Sequence, residues 1–154
     1  MSEHEQYNEK KQDPSLKLFV VLTKAQRAIA DLVKDDIKRY GLNPTEFGVL
    51  ELLYHQGAQP LQKIGEKILL ASGSITYVVD KLEKKEYLER VPCPKDRRIT
   101  YASITEKGEE LLHGIFPDHW EQIKQITGGL TEEEKRDAAE LLKKLGRYAD
   151  QQKN

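Results

Sequence analysis

Between residues 15 and 40, Leu18, Leu22, Ala25, Ile29, Leu32 and Val33 recur at steps of three and four, the period of an amphipathic helix. Phe19, Val20 and Val21 make the first half of this segment apolar on more than one face, which predicts burial against more than its own domain. Gly41 is placed to end it. Asn43, Pro44 and Glu46 then form a helix start: an Asn N-cap, Pro in the first turn and Glu reaching back. The second helix runs over 44–56, burying Phe47, Leu50, Leu53 and Tyr54, and stops at Gly57. Leu61, Ile64 and Ile68 predict a short helix over 61–70, interrupted by Ser72 and Gly73. Ile75, Val78, Val79 and Leu82 form one face of the next helix, to about residue 85.

The period then changes to two. Residues 87–91 and 99–104 alternate apolar and polar around the loop 92–98, a hairpin with a basic tip. Thr105 caps a further helix carrying Leu111, Leu112, Ile115, Phe116, Trp120, Ile123 and Ile126, with Pro117 expected to kink or interrupt it. After Gly128 and Gly129, Thr131 and Glu134 make a capping box for a last helix with Ala138, Leu141, Leu142, Leu145 and Tyr148 on one side. The fold class is mainly α with a small β-hairpin wing. The first fourteen residues are polar and expected to be flexible, and 15–150 is read as a single domain.

At 154 residues and 38% hydrophobic content the chain can build one real core. Its N-terminus lacks the apolar core of a signal peptide, and no apolar run approaches the length of a membrane span. A lone cysteine cannot form an internal disulfide, so a cytoplasmic location is expected. The net charge of −1 is unevenly spread: residues 61–107 carry ten positive and seven negative side chains, +3, leaving −4 for the remainder. A basic centre between acidic ends points weakly to an anionic partner.

Two short helices followed by a hairpin make a winged helix-turn-helix, here over 42–108. The outward face of its second helix can enter a major groove while the hairpin reaches the adjoining minor groove. With Ile75, Val79 and Leu82 inward, Ser72, Gly73, Ser74, Thr76, Tyr77, Asp80 and Lys81 lie at the helix start and on its outer face. Of these, Ser72, Gly73, Ser74, Thr76, Tyr77 and Lys81 are the candidate DNA contacts. In the wing, Lys95, Arg97 and Arg98 are the candidate contacts, and Asp96 can orient one guanidinium by a bidentate pair. The bland alternatives are an ordinary N-cap at Ser72 and a solvated turn in the wing. A winged helix that binds protein instead of DNA is the alternative at the level of function, set against by the basic tip and small hydroxyls.

No phosphate loop or nucleophile elbow is present, so no enzyme is expected. His4, His55, His113 and His119 show no zinc-type spacing, so neither metal nor other cofactor is expected, and a metal-responsive regulator is kept only as an alternative. Cys93 stands between Pro92 and Pro94 among basic residues, a setting that makes it a candidate sensor of oxidants or electrophiles.

Three stretches make the chain resemble the MarR (multiple-antibiotic-resistance regulator) family from about Leu16 to Tyr148. They are PTEFGVLELL at 44–53, LASGSITYVVDKLEKKEYLER at 70–90 and DRRITYASITEKG at 96–108, the last being the most specific. Ile104 and Thr105 depart conservatively from the Leu-Thr of the family's turn. The resemblance is closest to a subgroup that represses genes for detoxifying quinones and hydroquinones. It implies a homodimer joined by the terminal helices, 15–41 and 105–150, on a palindromic double-stranded DNA operator. The apolar surface of those helices exceeds what the central unit can cover, which agrees. The resemblance also implies a small, often phenolic, effector, for which Phe19, Tyr40, Phe47, Tyr54 and Trp120 are the pocket candidates.

Overall fold

The computed structural model of the chain describes residues 1–68 and 75–153. Among these residues seven helices and three strands follow in the order α1 (Glu3–Lys11), α2 (Pro14–Lys38), α3 (Pro44–Gln56), β1 (Gln59–Pro60), α4 (Leu61–Lys67), α5 (Ile75–Lys84), β2 (Leu88–Pro92), β3 (Thr100–Ile104), α6 (Glu106–Ile126) and α7 (Glu132–Gln151). The chain divides into two compact units, Met1–His119 and Trp120–Asn154.

In the first unit, α3 is the central element. Asn43 Oδ1 accepts the Glu46 N–H at 2.8 Å, and Glu46 Oε1 accepts the Asn43 N–H at 3.1 Å, so the predicted capping box is made. The helix ends at Gly57, whose φ of 77° suits a residue without a Cβ. Phe47, Val49, Leu50, Leu52 and Leu53 are all buried, so α3 is covered on more than the stripe its pattern suggested, and Tyr54 is only half-buried. Each such side chain contributes roughly 1.5–3 kcal/mol on burial. Val33 and Ile37 from α2, Ile64 from α4, Val78, Val79 and Leu82 from α5, and Leu112 and Ile115 from α6 are also in the core.

The N-terminal residues form a helix, α1, that the hydrophobic pattern does not announce. Ser2 Oγ accepts the Glu5 N–H at 3.2 Å while Glu5 Oε2 accepts the Ser2 N–H at 2.7 Å. Local capping thus supplies what a hydrophobic stripe does not, and residues 3–10 are all exposed. Asp13 then caps α2, its Oδ1 taking the Ser15 N–H at 2.7 Å with Pro14 in the first turn.

The wing is the predicted hairpin, antiparallel with Leu88 opposite Ile104, Arg90 opposite Ala102 and Pro92 opposite Thr100. A third strand, β1, pairs Gln59 with Ala102 and Pro60 with Tyr101, giving the sheet order β1-β3-β2. Two residues ending in Pro are too short for any alternation to be legible. The helix α6 continues through Pro117, so of the kink or interruption expected there the interruption does not occur. The proline removes the donor for the His113 carbonyl; both residues are exposed, so water can serve there.

In the second unit, α7 carries the predicted box, with Thr131 Oγ1 accepting the Glu134 N–H at 3.1 Å and Glu134 Oε1 accepting the Thr131 N–H at 2.9 Å. None of its residues is buried, and Leu141, Leu142, Leu145 and Tyr148 are exposed. Among the described residues no helix is long and apolar enough to cross a membrane.

Candidate nucleic-acid interface

The helix α5 packs on α4 through a close approach, since a Cβ placed on Gly65 would lie 3.2 Å from Ile75 Cγ1. With Val78, Val79 and Leu82 inward, Thr76 and Tyr77 are exposed on the other side, as the pattern predicted. Ser72, Gly73 and Ser74 lie outside the described residues. Lys81 turns back: its Nζ is 3.7 Å from the carboxylate of Glu46, itself only 2% exposed. Lys85 Nζ donates to the same carboxylate at 3.1 Å. Lys81, one of the candidate DNA contacts, keeps a side chain 42% exposed while its ammonium also faces a buried acid on α3, because a buried charge needs an opposite one.

The wing is tied to α5 by Arg90. Its Nη1 donates to Glu83 Oε1 at 2.7 Å, its backbone N–H to Glu83 Oε2 at 3.1 Å, and its Nη2 to Asp80. These bonds, the Asp80 bond first, hold the Arg90 guanidinium above its ordinary pKa. Sequence reasoning missed Arg90. Its signal was two acids three apart on α5 answered by a base on the following strand.

At the wing tip Asp96 makes the predicted bidentate pair. Arg98 Nε donates to Asp96 Oδ1 at 3.0 Å, Arg98 Nη2 to Oδ2 at 3.1 Å, and the Arg98 backbone N–H to Oδ1 at 3.0 Å. The Arg98 side chain bond, and next the N–H, holds the Asp96 carboxyl below its usual range, and the same pair raises Arg98. The loop closes through the Ile99 N–H on the Asp96 carbonyl and the Cys93 N–H on the Ile99 carbonyl, both at 3.0 Å. Lys95 and Arg97 are exposed, and neither has an ion-pair partner among the described residues.

At the base of the wing Glu86 sits at φ 67°. Its carbonyl accepts the Thr105 hydroxyl at 2.6 Å, and the Tyr87 carbonyl accepts the Thr105 N–H at 3.0 Å. Thr105 Oγ1 also accepts the Gly108 N–H at 3.1 Å, which starts α6 against this turn. A Cβ on Gly108 would lie 2.2 Å from the Tyr87 carbonyl oxygen, so only glycine fits.

A helix presenting small and aromatic side chains beside a hairpin carrying a fixed, exposed arginine is a form suited to duplex DNA. The MarR family profile matches residues 42–100. The HTH-type transcriptional regulator MhqR of Bacillus subtilis (strain 168) is 60% identical over 139 residues, spanning 90% of this chain and 96% of that relative. This chain belongs to the MarR family of transcriptional regulators. Two solved structures carry the same fold. The transcriptional regulator PA4135 superposes with a TM-score of 0.76 at 25% identity, over 84% of this chain and 96% of that one. Sco3205, a MarR family regulator from Streptomyces coelicolor solved in complex with DNA, has a TM-score of 0.75 at 21% identity, over 84% of this chain and 83% of that one. The MarR membership makes this a DNA-binding transcriptional regulator and not an enzyme.

In this MarR-family chain, Phe19 stands apart from Tyr40 among the pocket candidates of the first unit. Phe19 is 66% exposed on the first half of α2. It is separated from Tyr40 by a helical path of about 30 Å, so one small molecule cannot touch both within a single chain. Trp120 belongs to the second unit, exposed, with Lys124 Nζ 4.9 Å from its ring centroid. Phe47 is buried with its ring 4.8 Å from that of His119, whose Nδ1 is 3.2 Å from Asp36 Oδ2. Asp36 also accepts from Arg39 Nη2 at 2.5 Å, and Arg39 lies over the half-buried Tyr40 ring at 5.4 Å. Burial, then the charge of Asp36, raises the Tyr40 phenol above its ordinary pKa. Tyr54 Oη and His113 Nδ1 are 2.9 Å apart. Cys93 is half-exposed. Among the described residues no group of three His, Cys, Asp or Glu side chains is placed to hold a metal ion.

Proposed function

We propose that this regulator acts in the cytoplasm as a homodimeric repressor, binding a palindromic operator and leaving it when a small aromatic or phenolic ligand, or an electrophile, arrives. The observation that carries the DNA reading is the Asp96-held Arg98, an exposed cation with a defined direction at the tip of a narrow hairpin. Thr76, Tyr77 and the residues from Ser72 to Ser74 are assigned to the major groove, and Lys95, Arg97 and Arg98 to the wing's contacts. The dimer reading is supported by apolar side chains left uncovered in the single chain: Leu16, Phe19, Val20 and Val21 on α2, and Leu141, Leu142, Leu145 and Tyr148 on α7. Leaving that much apolar surface in water is costly, and a second copy with the same faces would cover it by symmetry.

The effector reading rests on the aromatic residues of the first unit, Tyr40, Phe47 and Tyr54, which are half-buried or buried next to polar partners. An electrophile has one thiol to attack, Cys93, whose N–H closes the wing loop; an adduct there would alter the strand end from which Arg98 is presented.

Selection of bound sequences from random duplex DNA tests the whole reading. Recovered sites should be inverted repeats with half-sites about 34–36 Å apart or a multiple of this, and sedimentation should give twice the chain mass. Repeating the selection with a hydroquinone and with a quinone separates the effector classes, the second in Cys93→Ser as well. Asymmetric sites bound by a monomer would reject the reading.

A further inference from the structure

Among the described residues Glu46 is the one acidic member of the largest fully buried side chains, at 2% exposed. Its position is anchored in its own helix, because Oε1 accepts the Asn43 N–H at 3.1 Å in the capping box that starts α3. Its remaining capacity faces α5. Lys81 Nζ lies 3.7 Å from Oε1, and Lys85 Nζ donates to Oε2 at 3.1 Å. The two lysines are four residues apart, and the Lys85 N–H bonds the Lys81 carbonyl at 3.2 Å, so they stand one above the other on the same side of one helical screw.

The rest of the inner face of α5 is Val78, Val79 and Leu82. Apolar burial is non-directional and tolerates small slides and rotations. A carboxylate fixed on α3 and gripped at two levels does not: moving α5 by one residue rotates its faces by about 100° and carries both ammonium groups away. On the other side of α5, Arg90 holds Asp80 and Glu83 to β2. The helix is therefore pinned to the wing by one set of charges and to α3 by another.

We propose that Glu46 is a positioning residue for DNA reading: by holding Lys81 and Lys85 it sets the rotation and axial register of α5, and with them the placement of Thr76 and Tyr77 against base edges. Base-edge hydrogen bonds tolerate only tenths of an ångström, whereas phosphate attraction is far more forgiving. Loss of the anchor thus lowers sequence discrimination more than general affinity. The inference rests on the assignment of α5 as the DNA-reading helix.

Glu46→Gln tests it in the full chain, since Gln can keep the capping box and remove only the charge. Two duplexes of equal length are compared at one salt concentration: a sequence recovered from random DNA with the unaltered protein, and a mixed-sequence duplex. The expected result is a loss of at least about ten-fold on the selected duplex with less than about two-fold change on the mixed one. Lys85→Gln, a change at a partly exposed position, should shift the same ratio in the same direction by less, and it decides the matter if Glu46→Gln does not fold. Parallel losses on both duplexes, or no loss on either, overturn the proposal. Tyr77→Ala separates the two levels: if it leaves both affinities unchanged, the assignment of α5 itself has failed.

Discussion

Asp96 grips Arg98 through both carboxylate oxygens, yet the Arg98 side chain remains 90% exposed. An exposed ion pair of this kind adds little to stability. Its effect is to direct a guanidinium outward from the tip of the wing, which is useful only to something that approaches from outside.

Arg98→Ala should therefore weaken operator binding by about ten-fold or more while leaving the unfolding midpoint nearly unchanged. Asp96→Asn, which keeps the arginine and loosens its direction, should cost less, about three- to ten-fold. Fluorescence anisotropy with a selected duplex, alongside a urea melt, measures both. Equal losses for the two variants would mean that Asp96 does more than orient.

The same pair has a pH signature. Because Arg98 depresses the Asp96 carboxyl, the contribution of this pair to an ordered wing is fully present above the unfolded Asp value. It is lost only as pH falls through the lowered folded value. An NMR titration of the Asp96 carboxyl carbon should place its midpoint below that of a free Asp peptide, and Arg98→Ala should return it toward that peptide. A midpoint at or above the peptide value contradicts the pairing.

Lys81 and Arg97 should differ in their salt dependence. Arg97 is exposed without an ion-pair partner among the described residues, so Arg97→Ala should reduce the slope of log affinity against log salt by about one. Lys81 is directed to Glu46, so Lys81→Met should leave that slope unchanged within about half a unit. A titration in which Lys81→Met lowers the slope as much as Arg97→Ala does would return Lys81 to the phosphate contacts.

The turn where wing and α6 meet makes two opposite predictions. Gly108→Ala forces a Cβ to within 2.2 Å of the Tyr87 carbonyl oxygen and should destabilise by about 2 kcal/mol or more. Glu86→Gly relieves a left-handed backbone at φ 67° and should stabilise by roughly 0.5–1 kcal/mol. Chemical denaturation checks both signs at once.

Much of this fold was legible residue by residue. Asn43 with Glu46, and Thr131 with Glu134, announce helix starts because a cap is made by side chains three positions apart, and the structure makes both bonds. The hairpin was visible because alternation survives even in five residues, and the Asp96–Arg98 pair because its partners are two apart. Local chemistry of this range needs no tertiary context. The third strand at Gln59, the tie of Arg90 to Asp80 and Glu83, and the inward turn of Lys81 toward Glu46 depend on segments brought together by packing. Glu46 and Lys81 lie 35 positions apart, and a charge pattern along the chain assigns such a lysine to solvent or to DNA with equal ease. The burial of the Glu46 carboxylate is what draws lysines of α5 toward it, because an acid taken out of water must find its counter-charge on whatever helix packs over it.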